Sequence, residues 1–196
     1  MNMVFDLLLE AKNKSRLIGL RTKNMDFEES LIGFVHELND GRVIIQEIDQ
    51  YGKIEGLTSI DLKDILSVDY DDRYQKRLLC IFSNKELLDA EKKVIVYGNP
   101  EELVEIVRDC ITNKNMIKLL FTNKNYATGI PRAVDSSHIL IHSIGWEGDD
   151  DGLSAYSFSE IIGVQYNSIE EQIISILYSN DKLFYDFSTR LKNELL

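Results

Sequence analysis

Several residue types on which functional sites are often built are scarce in this chain of 196 residues. Only Cys80 and Cys110 are present, without CxxC spacing, which argues against a disulfide scaffold and a thiolate metal site. The histidines are His36, His138 and His142. His138 and His142 would share one side of a strand, but zinc needs further ligands and no cysteine or third histidine is near. We expect no metal and no cofactor.

Positive charge is also scarce. Lysine and arginine number 22 against 33 aspartates and glutamates, which gives a net charge of -11. Such a chain repels polyanions unless cations are locally concentrated. The basic cluster of Arg73, Lys76 and Arg77 is surrounded by acidic residues, so its charge is largely cancelled. Nucleic acid is therefore a disfavoured partner.

Long apolar runs are missing as well. No uncharged stretch approaches the ~18 residues that a membrane-spanning helix needs. The apolar N-terminal stretch is interrupted by Asp6 and Glu10 and lacks a small-residue cleavage site. We expect no membrane segment, no secretory signal and a cytoplasmic location.

An internal duplication organises what is present. Residues 33–84 align without a gap with residues 129–180, at an offset of 96. A shift of four more also brings LRTKN at 20–24 opposite LFTNK at 120–124. A period near 96 suits two small domains rather than a solenoid. The identities fall on turn glycines and alternating apolar positions: Gly33/Gly129, Ile45/Ile141, Ile48/Ile144, Gly52/Gly148, Gly56/Gly152, Leu57/Leu153, Ile65/Ile161, Val68/Val164, Tyr70/Tyr166, Ser83/Ser179 and Asn84/Asn180.

Each copy has the pattern of a small strand-rich module. In the first copy, Asn39-Asp40-Gly41 predicts a hairpin turn, and DLKDI at 61–65 predicts one helical turn before the last strand. Gly33 inside a strand predicts a bend or a close backbone approach. The second copy repeats this plan with a hairpin at 135–137, a strand at 138–144 and SFSEI at 157–161. The strands predicted in the first copy are 16–22, 30–38, 42–49, 54–62 and 67–70.

This pattern resembles the SH3-like and Sm-like small barrels, in which five bent strands include a one-turn helix before the last. The resemblance covers roughly 16–70 and 116–166. In Sm proteins, a basic residue followed by Gly after the fourth strand forms part of an RNA site. This chain has Ile65-Leu66-Ser67 and Ile161-Ile162-Gly163 at that place instead. The predicted fold is α+β, mainly β, with two tandem five-stranded barrels, each followed by helical segments.

The predicted domains are an N-terminal barrel with leading and trailing helices over 1–90, a strand and helix connector over 91–115, and a C-terminal barrel with a trailing helix over 116–196. Ser168 with Glu171 predicts a capped helix start, whereas Tyr74 to Phe82 fits a helix or a strand. Asn99-Pro100 predicts the start of a helix with an apolar stripe. Candidates to cover that stripe, within the chain or in a dimer, are Phe5, Leu8, Leu9, Phe184, Phe187, Leu191 and Leu195.

The most conspicuous polar cluster is the candidate site. Glu147, Asp149, Asp150 and Asp151 follow Trp146 in a predicted hairpin tip. Carboxylates can bind Ca²⁺ or Mg²⁺, although the spacing does not match an EF-hand loop. A solvated tip is the simpler interpretation. Trp146 either caps the barrel or is exposed as a binding anchor.

No nucleophile, Walker or G-x-G-x-x-G pattern occurs, so we expect no catalytic residues. The sequence favours a non-catalytic interaction protein with an acidic surface for an unidentified protein partner, of inhibitor or immunity type. Two alternatives stay open. One is an Sm-like nucleic-acid-binding protein, and the other is a metal-dependent enzyme using the acidic loop at 147–151.

Overall fold

A computed structural model describes residues 3–26 and 29–180. The chain divides into two compact units, one up to Lys85 and the other from Glu86. The fold is α+β, with two antiparallel sheets of five and six strands. Among the described residues, no helix combines the length and apolar character needed to cross a membrane.

The first unit is a five-stranded sheet with helices on both faces. Its strands lie in the order β4-β3-β2-β1-β5, and a short 3-10 turn, Leu62–Asp64, precedes β5 as the DLKDI pattern predicts. Leu17 and Ile18 are neighbours on β1 and therefore point to opposite faces. Ile18 packs with α1 and Leu17 packs with α2. The elements are α1 Met3–Asn13, β1 Leu17–Thr22, β2 Leu31–Leu38, β3 Arg42–Ile48, β4 Ile54–Asp61, β5 Ile65–Tyr70 and α2 Arg73–Ser83.

The second unit repeats this arrangement and adds a strand. Its order is β10-β9-β8-β7-β11-β6, so β6 extends the sheet beyond β11. Two 3-10 turns, Lys85–Leu87 and Ala90–Lys92, come before β6. The elements are β6 Val94–Tyr97, α3 Pro100–Asn113, β7 Ile117–Phe121, β8 Tyr126–Val134, β9 His138–Ile144, β10 Asp150–Ser157, β11 Ile161–Tyr166 and α4 over 169–180.

Equivalent glycines have equivalent surroundings in the two units. A Cβ atom on Gly33 would lie 2.3 Å from the Gln46 carbonyl oxygen, and one on Gly129 would lie 2.2 Å from that of His142. Positions 46 and 142 are themselves 96 apart. The close backbone approach predicted for Gly33 is confirmed. Both copies therefore require glycine here for the same steric reason.

The leading helix and first strand follow a slightly different offset. Ile18 lies opposite Gly33 and Ile117 lies opposite Gly129, so positions 99 apart are equivalent in β1 and β7. The shift of four predicted from LRTKN and LFTNK is thus wrong by one residue. The difference from 96 is taken up in the connection between the first and second strands, where an insertion costs little.

The closed form of the barrels is not confirmed. Within the described residues, β4 and β5 are the edges of the first sheet, and β10 and β6 are the edges of the second. The physical reason is that each sheet buries apolar side chains on both faces against helices. Closure of the sheet on itself is then unnecessary for burying its core.

Residues 91–115, which the sequence predicts to be a connector between the domains, contribute β6 and α3 to the second unit. The apolar stripe of α3 does not need another helix to cover it. Leu103, Val107 and Cys110 pack directly against Ile117 and Ile141 of the sheet. The capping box predicted at Asn99 is present, since Asn99 and Glu102 exchange hydrogen bonds of 3.1 and 3.2 Å. Phe184, Phe187, Leu191 and Leu195 lie outside the described residues.

Candidate functional site

The hairpin between β9 and β10, which we call the acidic tip (residues 145–151), is held in a fixed position. Its turn is closed by two backbone hydrogen bonds of 2.9 Å, from Gly145 to Asp149 and from Gly148 to Gly145. Gly148 has a φ of +86°, and a Cβ atom on it would lie 2.7 Å from Leu177 Cβ of α4. Only glycine allows this approach. The turn therefore sits against α4.

The predicted site residues divide into exposed and anchored members. Trp146 is 59% exposed on the turn, and Glu147 beside it is half-buried. Asp149 and Asp151 are exposed. Both carboxylates lie close to Gly145. A Cβ atom built on Gly145 would be 3.6 Å from Asp149 Oδ2 and 3.2 Å from Asp151 Oδ2. Trp146 is thus an exposed aromatic side chain on a turn that also carries exposed carboxylates.

Asp150 is also exposed, but its carboxylate is tied to the sheet by hydrogen bonds. Its Oδ1 accepts hydrogen bonds from His142 Nε2 at 2.7 Å and from the Gly152 amide at 2.8 Å. The hydrogen bond from His142 is the main reason that the pKa of Asp150 lies below its ordinary value, and the Gly152 amide adds to it. These hydrogen bonds hold Asp150, the first residue of β10, in place.

His142 connects this carboxylate to two other elements. Arg132 Nη2 lies 3.0 Å from His142 Nδ1, and the ring of Tyr178 on α4 meets the imidazole edge-on at 5.7 Å. A guanidinium has only donors, so Nδ1 must accept. The proton of neutral His142 is then on Nε2, where it is donated to Asp150. The arrangement is an orienting network beneath the acidic tip.

Arg132, His142 and Tyr178 were not predicted as members of the site. The sequence places His142 with His138 on one side of a strand, as candidate metal ligands. The structure gives the two histidines separate partners, because His138 Nδ1 lies 2.9 Å from Ser137 Oγ. Among the described residues, no group of three or more His, Cys, Asp or Glu side chains is arranged to hold a metal ion.

The equivalent hairpin of the first unit has a different chemical character. Gln50, Tyr51 and Lys53 stand where the second unit has Trp146, Glu147 and Asp149. Gly52 keeps the role of Gly148, with a φ of +73° and a Cβ position 2.9 Å from the Phe82 amide nitrogen on α2. The scaffold of the tip is common to both units, whereas the tryptophan and the three consecutive aspartates occur in the second.

A second polar cluster lies under α4 and is buried. The Glu171 side chain is 2% exposed and accepts hydrogen bonds from Gln165 Nε2 at 2.8 Å and from the Ser168 amide at 2.7 Å. Lys118 Nζ lies 3.8 Å from Glu171 Oε1 and forms an ion pair with Glu170. These bonds join the start of α4 to β7 and β11. The cluster therefore has a positioning role in the fold.

Comparison with known proteins identifies no family. No protein family model and no curated protein sequence matches this chain. A solved structure, YcgR in complex with c-di-GMP from Escherichia coli, aligns over 96% of this chain and 93% of its own length. The identity is 7% and the TM-score 0.20. A likeness at that level carries no argument about fold or ligand.

Proposed function

We propose that this chain is a non-catalytic interaction protein that uses the acidic tip to bind a basic protein partner. The observation that carries the proposal is Trp146, an exposed indole on a turn anchored by Gly148 and Asp150. Large aromatic residues dominate the binding energy of many interfaces, particularly when the surrounding contacts exclude water. A turn that is already held in place also loses little backbone entropy when a partner covers it.

The charge around Trp146 supports a basic partner. Asp149 and Asp151 are exposed beside it, and the whole chain has a net charge of -11. Complementary charge accelerates encounter and fixes the orientation of docking, while the apolar anchor supplies affinity. A partner with a lysine- or arginine-rich rim around an apolar pocket would satisfy both features.

The proposal extends to the type of scaffold in each unit and to the biological role of the chain. Each unit is a derivative of the SH3-like or Sm-like small barrel, supported by the strand order β4-β3-β2-β1-β5 and the 3-10 turn before β5. An inhibitor or immunity-type protein acting in the cytoplasm against a basic enzyme is the biological role that fits an acidic, anchored tip.

The test is affinity capture with the full chain immobilised. We expect wild type to retain a basic protein in stoichiometric amount, and we expect Trp146→Ala to lose it. The double variant Asp149→Asn, Asp151→Asn should retain the partner but release it at lower salt, because exposed charges act mainly at long range and are screened.

The matched control is Gln50→Ala, which makes the same kind of truncation on the equivalent hairpin of the first unit. It should capture the partner as wild type does. Equal capture by wild type and Trp146→Ala, with both folded by circular dichroism, would refute the role of the acidic tip. Recovery of nucleic acid instead of protein would refute the proposed class of partner.

A further inference from the structure

A groove of about 560 Å³ opens on the first unit. Its lining includes Glu29 and Ser30 just before β2, Ile32 on β2, Glu47 on β3 and Tyr74 in the first turn of α2. The volume falls within the ~300–1,000 Å³ typical of small-ligand sites. The groove and the acidic tip belong to different units.

The second unit supplies a lysine where the first unit has a glycine beside this groove. Gly19 of β1 lies opposite Ile32 of β2, and Lys118 of β7 lies opposite Thr128 of β8. Ile32 and Thr128 are 96 positions apart and therefore equivalent. Gly19 and Lys118 thus occupy the same place in the two sheets.

The contacts of Lys118 identify what the first unit lacks. Its ammonium lies 4.8 Å from the centre of the Tyr126 ring and pairs with Glu170. The positions equivalent to Tyr126 and Glu170 are Ser30 and Tyr74, and both line the groove. In the second unit, the ammonium lies near one aromatic ring and two carboxylates, those of Glu170 and Glu171. The groove has the same two chemical types, with Tyr74 as the aromatic residue.

We propose that the groove binds the side chain of a lysine presented by a protein partner, in the place that Lys118 occupies in the second unit. Ile32 offers an apolar wall to the alkyl stem. Tyr74 is 39% exposed and offers a ring face for a cation–π contact, and the carboxylates of Glu29 and Glu47 supply negative charge. Glu47 is held in place because its carboxylate accepts a hydrogen bond from the Thr58 hydroxyl.

Gly19 keeps this place open. A Cβ atom there would lie 3.0 Å from Nε2 of the buried Gln75, which donates to the Asp69 carbonyl oxygen, and 3.2 Å from Ile32 Cδ1. A longer side chain requires these two side chains to shift. Lys118 Nζ pairs with Glu170, whose equivalent is Tyr74, so a lysine at position 19 would direct its ammonium towards Tyr74 in the groove. The substitution Gly19→Lys should give the groove an internal occupant.

The inference goes beyond the acidic tip and can be tested without the unidentified partner. The probe is Nα-acetyl-L-lysine methylamide, titrated into the full chain labelled with ¹⁵N. We expect saturable shifts at the amides of Ser30, Ile32 and Glu47. The uncharged Nα-acetyl-L-norleucine methylamide should bind about five-fold more weakly, the loss expected when one partly exposed cation loses an ion pair and an aromatic contact.

Two variants locate the site. Gly19→Lys should abolish the shifts, and Glu29→Gln with Glu47→Gln should reduce binding of the lysine probe to that of the norleucine probe. The second variant decides the question if Gly19→Lys does not fold.

The proposal is overturned if no saturable shift occurs at the groove, if both probes bind equally, or if a folded Gly19→Lys still binds the lysine probe. Spermidine binding the groove more than about tenfold tighter than the lysine probe, a difference of ~1.4 kcal/mol, would identify a free polyamine as the occupant and refute a lysine side chain. Loss of partner capture by Trp146→Ala is independent of all these outcomes, so failure of one proposal leaves the other standing.

Discussion

The glycine at the acidic tip offers a sharp test of how the hairpin is held against α4. Replacing Gly148 with alanine adds one methyl group at a backbone φ of +86° and places it 2.7 Å from Leu177 Cβ and 2.9 Å from the Tyr178 amide nitrogen. The helix backbone cannot move away as a flexible side chain would. We therefore expect the substitution to destabilise the second unit strongly.

The magnitude follows from two separate costs. An L-residue in the left-handed region costs ~1–2 kcal/mol relative to glycine. Forcing an extra methyl group into a packed contact costs ~1–3 kcal/mol. We expect Gly148→Ala to lower the free energy of unfolding by ~3 kcal/mol in total.

Two other glycines separate these costs. Gly152 has a φ of +79° but nothing within 4 Å of its Cβ position, so Gly152→Ala should show the backbone cost alone. Gly56, its counterpart in the first unit, has neither a positive φ nor a neighbour within 4 Å. Gly56→Ala should change stability by less than ~0.5 kcal/mol.

Urea unfolding measures the differences, with the linear extrapolation applied to each variant. Trp146 is the single tryptophan of the chain and lies in the second unit, so its fluorescence reports on that unit. Far-ultraviolet circular dichroism of the whole chain provides a second readout. If Gly148→Ala proves no less stable than Gly152→Ala, the close contact between the tip and α4 is refuted.

Three further predictions concern the titratable side chains. Lys118→Met should destabilise by ~2 kcal/mol in urea unfolding, because it removes a cation beside the buried Glu171. The pKa of Asp150 is depressed in the folded chain, so its stabilising effect is present above its unfolded pKa and lost as the pH falls through the folded value. Asp150→Asn should accordingly flatten the decline of the unfolding midpoint below about pH 4. Burial raises the pKa of Cys110 to about 11, so a thiol reagent at neutral pH should label the less buried Cys80 first and Cys110 only after unfolding.

Each of these has a result that would contradict it. Unchanged stability of Lys118→Met would mean that the ammonium contributes nothing to the buried cluster. If the unfolding midpoint declines with acid identically in wild type and Asp150→Asn, the hydrogen bond between Asp150 and His142 does not cause that decline. Labelling of Cys110 as fast as Cys80 in the native chain would contradict its burial.

The local structure followed closely from the sequence. Alternating apolar positions such as Val43 and Ile45 predicted β3, and both are fully buried on one face. The turn at 39–41 is closed as the Asn-Asp-Gly pattern predicts, since Asn39 Oδ1 accepts bonds from the amides of Gly41 and Arg42. Such features depend on neighbouring residues only, so a single sequence contains them.

The packing of α3 against the sheet could not be predicted from local patterns. The sequence predicts its apolar stripe and its capping residues correctly, but it offers other helices, and not the sheet, as the cover of the stripe. An apolar stripe predicts which face of a helix is buried, but it does not identify the element that packs against that face. Because α1 and α3 precede equivalent strands at an offset of 99 rather than 96, their correspondence was hidden by the gap in the loop.

The candidate site divides along the same line. The sequence by itself determined the acidic tip and its tryptophan, because they are consecutive residues in one turn. Only the tertiary structure decided that Arg132, His142 and Asp150 meet, since the pairing of β9 shifts register at Arg132 on β8 and between Asp150 and Leu153 on β10. The groove beside Gly19 likewise arises from strands and a helix distant in sequence. Local patterns fix which face of a strand is buried, whereas register, bulges and the packing of remote elements fix which side chains touch.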